Sequence, residues 1–312
     1  MEFLHDADIK ARLSWADMLQ ALEAAFMKRA EAPAAFIQPE RTVISGAGTY
    51  LVMPCADSEG YFGVKQVAVM PHNPLRQLPS VQAWYTLFDQ SGTPVLSCSA
   101  TLLTKLRTAA VSAVAANHLV HQQAKTLLVI GSGSLAPFMA EAHQQVRPYT
   151  RILVWGRNPE RVQRTALDIA ERLSPGHPHL QVAVAPDLDT ALSQADVITA
   201  ATTARTPIIR GVQLRPGQHL DLVGAFTPEM AEADAEAIKQ ADVFVDDREA
   251  ALLEAGDLLQ AQAQGWSWEL LEGDLAEVVT AKAGRVSPNR LTLFKSVGLA
   301  LEDLVVAKLL LQ

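Results

Sequence analysis

The sequence predicts an α/β protein built on a doubly wound parallel sheet, together with a second lobe. Three observations predict it. The chain has 312 residues, more than the ~100 to 200 of one ordinary domain. From Lys125 onward, apolar runs alternate with helical segments: "KTLLVIG", "RILVWGR", "LQVAVAP", "DVITAAT", "HLDLVGA" and "DVFVDD". The first of these runs breaks into glycines and then becomes an amphipathic helix, in "VIGSGSLAPFMAEAH" from Val129 to His143.

In chain order, Ser14 with Asp17 reads as a helix N-cap followed by a first-turn acid. Trp15, Met18, Leu19, Leu22 and Phe26 then recur at helical spacing. Between Phe36 and Leu96 the texture changes to short β-like runs ("RTVI", "TYLVMP", "YFGVKQVAVM", "VQAWYTLFD") separated by Gly, Pro, Asn and Asp. An antiparallel sheet follows, with "DQSGTP" as its clearest turn. "LLTKLRTAAVSAVAANHLV" is an Ala-rich helix leading into the alternating region. The chain closes with "LTLFKSVGLALEDLVVAKLLLQ", a strand-like run and then a helix too apolar to stand alone. That helix is expected to pack on the first lobe or on a partner subunit.

The totals narrow the function. Hydrophobic residues make up 49% and charged residues 19%, as in ordinary soluble proteins. A net charge of -8 argues against nucleic acid, which needs clustered Lys and Arg. Cys55 and Cys98 have neither disulfide-framework nor zinc spacing and are expected as small buried hydrophobes; no metal is expected. "MEFLHDADIKARLSW" lacks a signal-peptide pattern, and no run reaches the ~18 apolar residues of a membrane span. A cytoplasmic protein is expected, with no membrane partner.

Gly131, Gly133 and Ala136 spell G-x-G-x-x-A. In that pattern the first Gly supports a tight turn, the second lets the backbone approach a pyrophosphate, and the small third residue lets helix and strand pack. The helix N-terminus then offers free N–H groups to the phosphates. The next strand ends in Gly156, Arg157 and Asn158, where NAD-binding sheets commonly carry an acid for the ribose hydroxyls. A guanidinium there can pair with a 2'-phosphate, so NADPH is the expected cofactor, with NADH possible.

In "KLRTAAVSAVAANHL", "VGAFTPEMAEAD" and "LFKSVGLALEDLVVAKLL" the chain resembles the ornithine cyclodeaminase and mu-crystallin family over nearly its whole length. The resemblance implies a Rossmann-like domain at 121–290 inserted in a substrate-binding and dimerisation domain at 1–120 plus 291–312, and a homodimer. It matches Arg41, Lys65 and Arg107 to carboxylate-binding cations. Taken singly, each of the three is more commonly a surface charge. It also assigns Ser80, Arg107, Thr108, Ser134, Leu135, Thr202, Val223, Gly224, Ala225 and Ser296 to the cofactor, beside Gly131, Gly133, Arg157 and Asn158, and Val297 to the nicotinamide end and substrate. His72, His118 and His143 match no catalytic position of the family.

Family members catalyse several reactions. Where cyclodeaminases carry an acid two places before the proline of "VGAFTPEM", this chain has Phe226, which can neither accept a proton nor hold an ammonium group. The expected activity is NADPH-dependent reduction of a cyclic imino acid, Δ1-pyrroline-2-carboxylate or Δ1-piperideine-2-carboxylate, to L-proline or L-pipecolate. Lys65 is expected to serve the substrate, either by binding the carboxylate beside Arg41 and Arg107 or by also helping to deliver the proton that the imine nitrogen needs. Alanine dehydrogenase, ornithine cyclodeaminase or a non-enzymatic binding protein are the alternatives.

Overall fold

The computed structural model describes residues 1–312 apart from Glu40, Arg41, Ala47, Pro71, Ser80 and the side chain of Pro74. Two expected site residues, Arg41 and Ser80, therefore lie outside the described residues. The first elements are β1 (Glu2–Leu4), α1 (Asp6–Arg12), α2 (Trp15–Glu31), β2 (Phe36–Ile37), β3 (Thr42–Ser45), β4 (Thr49–Asp57), β5 (Phe62–Val69), β6 (Val81–Phe88), β7 (Pro94–Ser99) and α3 (Ala100–Leu119). Next come β8 (Thr126–Ile130), α4 (Ala136–Val146), β9 (Arg151–Trp155), α5 (Pro159–Leu173), β10 (Gln181–Val184), α6 (Leu188–Gln194), β11 (Val197–Ala200) and β12 (His219–Leu222). The chain ends with α7 (Ala235–Gln240), β13 (Ala241–Val245), α8 (Arg248–Glu254), α9 (Gly256–Gln262), β14 (Leu271–Asp274), α10 (Leu275–Val279), β15 (Leu291–Lys295) and α11 (Ala300–Leu309).

These elements form two compact units, Met1–Thr108 with Leu299–Gln312, and Ala109–Gly298. The first holds a sheet in the order β1-β7-β6-β5-β4-β2, with β3 also on β4. Its pairs are antiparallel except β1 with β7. Alternation decides its faces: Met53, Cys55, Lys65, Tyr85, Leu87, Leu96 and Cys98 point to the buried side. Helix α11 packs on α2, β4, β5 and β6. It is buried on nearly all sides, as its largely apolar sequence requires, and its first-turn acids Glu302 and Asp303 are buried with it. On the opposite face, Phe62 and Trp84 are 39% and 37% exposed.

The local signals account for the ends of these elements. Ser14 caps α2 by accepting from the Asp17 N–H, and Met18, Leu22, Ala25 and Phe26 form its buried stripe. In the "DQSGTP" turn, Asp89 accepts from the N–H groups of Ser91 and Thr93, and Gly92 supplies a φ of 76°.

The second unit holds an all-parallel sheet in the order β10-β9-β8-β11-β12-β15-β13-β14. Both its faces are covered. Leu128 and Ile130 of β8 join one apolar cluster, and Leu127 and Val129 join another. Strand order reverses between β8 and β11, which in such sheets places the ligand crevice beyond their C-terminal ends.

The domain limits differ from those expected at 120/121 and 290/291: contacts divide the chain at 108/109 and 298/299. Residues 291–298, expected with the first domain, belong to the second. β15 pairs in parallel with both β12 and β13, so it lies inside the large sheet. The short β14 is a further strand that no apolar run announced.

Candidate functional site

The glycine turn after β8 has the geometry its sequence demands. Gly131 has a φ of 124°, and a Cβ there would lie 2.7 Å from the Ala201 carbonyl oxygen. A Cβ on Gly133 would meet nothing within 4 Å, so the backbone there is open to an approaching group. Ala136 is fully buried against the core, as the third small position requires. No side chain caps the N-terminus of α4, which begins with Pro137 in its first turn. An uncapped helix end above an open glycine turn fits a diphosphate, with Gly133, Ser134 and Leu135 as its cradle.

After β9, Arg157 is exposed, and among the described residues it forms no ion pair. Asn158 also shapes the next helix, because its side-chain oxygen caps α5 by accepting from the Arg161 N–H at 2.9 Å.

The turns after β11 and β12 are tied by a residue that sequence reasoning missed. Glu232, wholly buried, accepts from the Thr202 N–H at 2.7 Å, the Thr202 hydroxyl at 2.9 Å and the Gly224 N–H at 2.7 Å. Gly224 has no room for a side chain, because a Cβ would overlap the Thr202 carbonyl oxygen. Val223 and Ala225, on either side, are buried. Burial pushes the Glu232 carboxyl up to about 8; Lys295 opposes this, Asp257 reinforces it, and the Thr202 and Gly224 amides favour the charged form. Asp257 lies 3.0 Å from Lys295 Nζ and accepts from the N–H groups of Glu232 and Ala233.

After β15, Ser296 and Val297 are held by a second missed acid. Asp246 Oδ2 accepts from the Ser296 hydroxyl at 3.0 Å and from the N–H groups of Val297 and Gly298 at 2.7 Å each. Phe226, in the turn beyond β12, is 40% exposed.

The cations of the first unit are assembled by the C-terminal helix. Lys65 on β5 donates to Asp303 Oδ2 at 2.6 Å, and Arg107 on α3 donates through Nε to Asp303 Oδ1 at 3.3 Å. Arg107 Nη1 also donates to Glu302. Side-chain exposure is 3% for Lys65, 6% for Arg107 and zero for both acids. Asp303 thus bridges two expected substrate-binding cations. Neither acid was anticipated from "LEDLVV". Thr108, next to Arg107, is partly exposed. Burial lowers the Lys65 ammonium from its ordinary value; Asp303 resists the shift and Arg107 adds to it.

His143 and the two cysteines lie in the core. His143 Nε2 lies 3.0 Å from Asp221, which also accepts from Ser112 and Thr199, all within the core. Cys55 and Cys98 are buried free thiols, each pushed up to about 12 by burial. Among the described residues no group of three His, Cys, Asp or Glu could hold a metal, and no helix is long and apolar enough to cross a membrane.

A doubly wound parallel sheet whose first crossover opens in G-x-G-x-x-A is the architecture of dinucleotide-binding proteins. The chain belongs to the ornithine cyclodeaminase/mu-crystallin family, whose sequence profile matches residues 1–312. A Delta(1)-pyrroline-2-carboxylate reductase of Paracoccus denitrificans is 34% identical over 311 residues, 98% of this chain and 95% of the relative. The Thermococcus litoralis Delta(1)-pyrroline-2-carboxylate reductase, solved with NADH and L-proline, superposes with a TM-score of 0.92 at 30% identity, covering 99% of this chain and 96% of that one. An archaeal alanine dehydrogenase dimer with bound NAD gives 0.89 at 28% identity, covering 99% and 94%.

The Lys65 environment sets a pH dependence. Its folded proton is released at lower pH than its unfolded one. Between that lowered value and 10.5 the unfolded chain therefore binds more protons, and stability from this group rises with pH. In Lys65→Met, the free energy of denaturant unfolding should climb less steeply with pH than in wild type as 10.5 is approached from below. Parallel curves for the two proteins would contradict the assignment.

Proposed function

We propose that the protein is a nicotinamide-dependent reductase of cyclic imino acids, forming L-proline or L-pipecolate from Δ1-pyrroline-2-carboxylate or Δ1-piperideine-2-carboxylate. The observation that carries this reading is the bridging of Lys65 and Arg107 by Asp303, which fixes an ammonium and a guanidinium side by side away from water. Such a pair suits a carboxylate that must be held in one orientation. The glycine turn and the uncapped end of α4 would hold the dinucleotide. When bound, the nicotinamide supplies the hydride for the imine carbon.

The protein's own contributions are binding, orientation and a proton. Arg107 holds the carboxylate, together with Arg41 as the family resemblance implies. Lys65 Nζ, whose burial eases deprotonation, delivers the proton that the imine nitrogen requires. Phe226 and Val297 supply apolar contact to a ring. The Paracoccus and Thermococcus relatives support a cyclic imine.

A homodimer is part of the same reading. The outward face of the first sheet carries Phe62, Trp84 and Phe88, with the two phenylalanine rings 5.6 Å apart. An exposed aromatic patch on a flat sheet face suits a second copy. Sedimentation should give a dimer for wild type and a shift toward monomer for Trp84→Glu; a monomeric wild type would refute the dimer.

Three kinetic outcomes follow from the assignment. With NADPH, cyclic imines should be reduced, whereas ornithine should yield no proline and pyruvate with ammonia should react poorly. Proline release from ornithine at a comparable rate would overturn the reading, and efficient alanine formation would move it to alanine dehydrogenase. Lys65→Met should lower kcat by about 10²-fold or more, the usual scale for a lost general acid; a change in KM alone would leave Lys65 a binding role only. NADPH should be preferred over NADH, and Arg157→Asp should shift the preference toward NADH; equal kcat/KM in wild type would refute a phosphate-reading Arg157.

A further inference from the structure

Glu232 is fully buried and lies outside the glycine turn. Three donors converge on its carboxylate: the Thr202 N–H and hydroxyl on Oε1, and the Gly224 N–H on Oε2. Its own carbonyl accepts from Ile208 and Ile209, and its N–H donates to Asp257. Asp257 in turn faces Lys295 at the end of β15. One side chain thereby links the C-terminal ends of β11 and β12, and its backbone links these to β15. We infer that Glu232 is a positioning residue for the nicotinamide nucleotide, holding the turns after β11 and β12 where the glycine turn needs them.

The connection to the nucleotide is steric. A Cβ on Gly131 would lie 2.7 Å from the Ala201 carbonyl oxygen and 3.4 Å from the Thr202 methyl carbon, so the Thr202 turn forms the back wall of the glycine turn. Gly224 is pressed against Thr202 and Glu232 in the same way. If the Thr202 turn moves, the wall behind Gly131 moves with it. A carboxylate suits this junction because it accepts on both oxygens, and the donors it accepts from oppose the burial that raises it, whereas an amide would direct N–H groups at a donor. The burial is costly. Glu232 and Asp257 face one ammonium, that of Lys295, so the three donors that converge on Glu232 carry much of the compensation for its burial.

This inference rests on the glycine turn being a nucleotide site, and the test separates the two. NADH and NADPH are titrated into apo wild type, Glu232→Gln, Thr202→Val and Ser112→Ala by nucleotide fluorescence, with amide hydrogen exchange followed at the turns after β11 and β12. Wild type that binds neither nucleotide would defeat the underlying reading. If it binds, Glu232→Gln should weaken both nucleotides about tenfold or more and speed exchange at both turns, since a buried donor loses its acceptor. The KM for nucleotide should rise, while kcat at saturation changes by less. Ser112→Ala removes a buried hydrogen bond to Asp221 elsewhere in the same unit and should leave nucleotide affinity within about twofold. Unchanged affinity in folded Glu232→Gln would overturn the inference, as would an equal loss in Ser112→Ala. If Glu232→Gln does not fold, Thr202→Val decides: it removes one of the three donors and keeps the methyl group, so a loss of about threefold or more with faster exchange at the Gly224 turn of the apo protein supports the inference, and unchanged exchange there overturns it.

Discussion

The first unit depends on one buried ionic group. Lys65 and Arg107 face Asp303 and Glu302, with all four side chains almost removed from water. Two positive and two negative charges balance there, which is the condition for holding ions in a weakly polar interior. Breaking such a group by removing one partner costs about 3–5 kcal/mol, because the orphaned charge stays buried. The group also fixes topology. It joins β5, the N-terminal half of α3 and the first turn of α11, and so locks the C-terminal helix onto a sheet formed some two hundred residues earlier.

The second unit solves a related problem with other acids. Beyond the C-terminal ends of parallel strands the backbone leaves the ladder, and its N–H groups need partners. Glu232 satisfies those of Thr202 and Gly224, and Asp246 satisfies those of Val297 and Gly298. Loops built this way are set by side-chain carboxylates, not by sheet pairing, which is how a rigid scaffold can present exposed turns in a defined shape. The glycine turn differs. Its own helix end is left uncapped, and Gly133 and Ser134 are open.

Patterns of short range were legible in the chain. Ser14 as an N-cap, the Asp89 turn, and the strand, glycines and helix from Thr126 to Val146 each announce themselves within a few residues, because their causes are local. The acids that matter most were illegible for the opposite reason. Glu302 and Asp303 sit in an apolar helix, and Glu232 sits in "AEADAEA", a stretch that reads as solvated. Their burial follows from partners up to 238 residues away, as in Lys65 with Asp303. An acid inside an otherwise apolar final helix was the one available signal. β15 was assigned to the wrong lobe because a strand's sheet is decided by its neighbours, not by its own apolar run.

The proposed function asks two things of the chain: oriented cations for a carboxylate, and a turn that holds a dinucleotide. In the proposed reaction a hydride would pass from the nicotinamide to the carbon bearing the imine, with a proton supplied to nitrogen. The most direct measurement is product analysis by mass spectrometry and NMR after turnover of Δ1-pyrroline-2-carboxylate with nicotinamide cofactor deuterated on one face at C4. With the transferred face labelled, L-proline should carry one deuterium, at C2. Proline free of deuterium with either face labelled, or no proline at all, would contradict it.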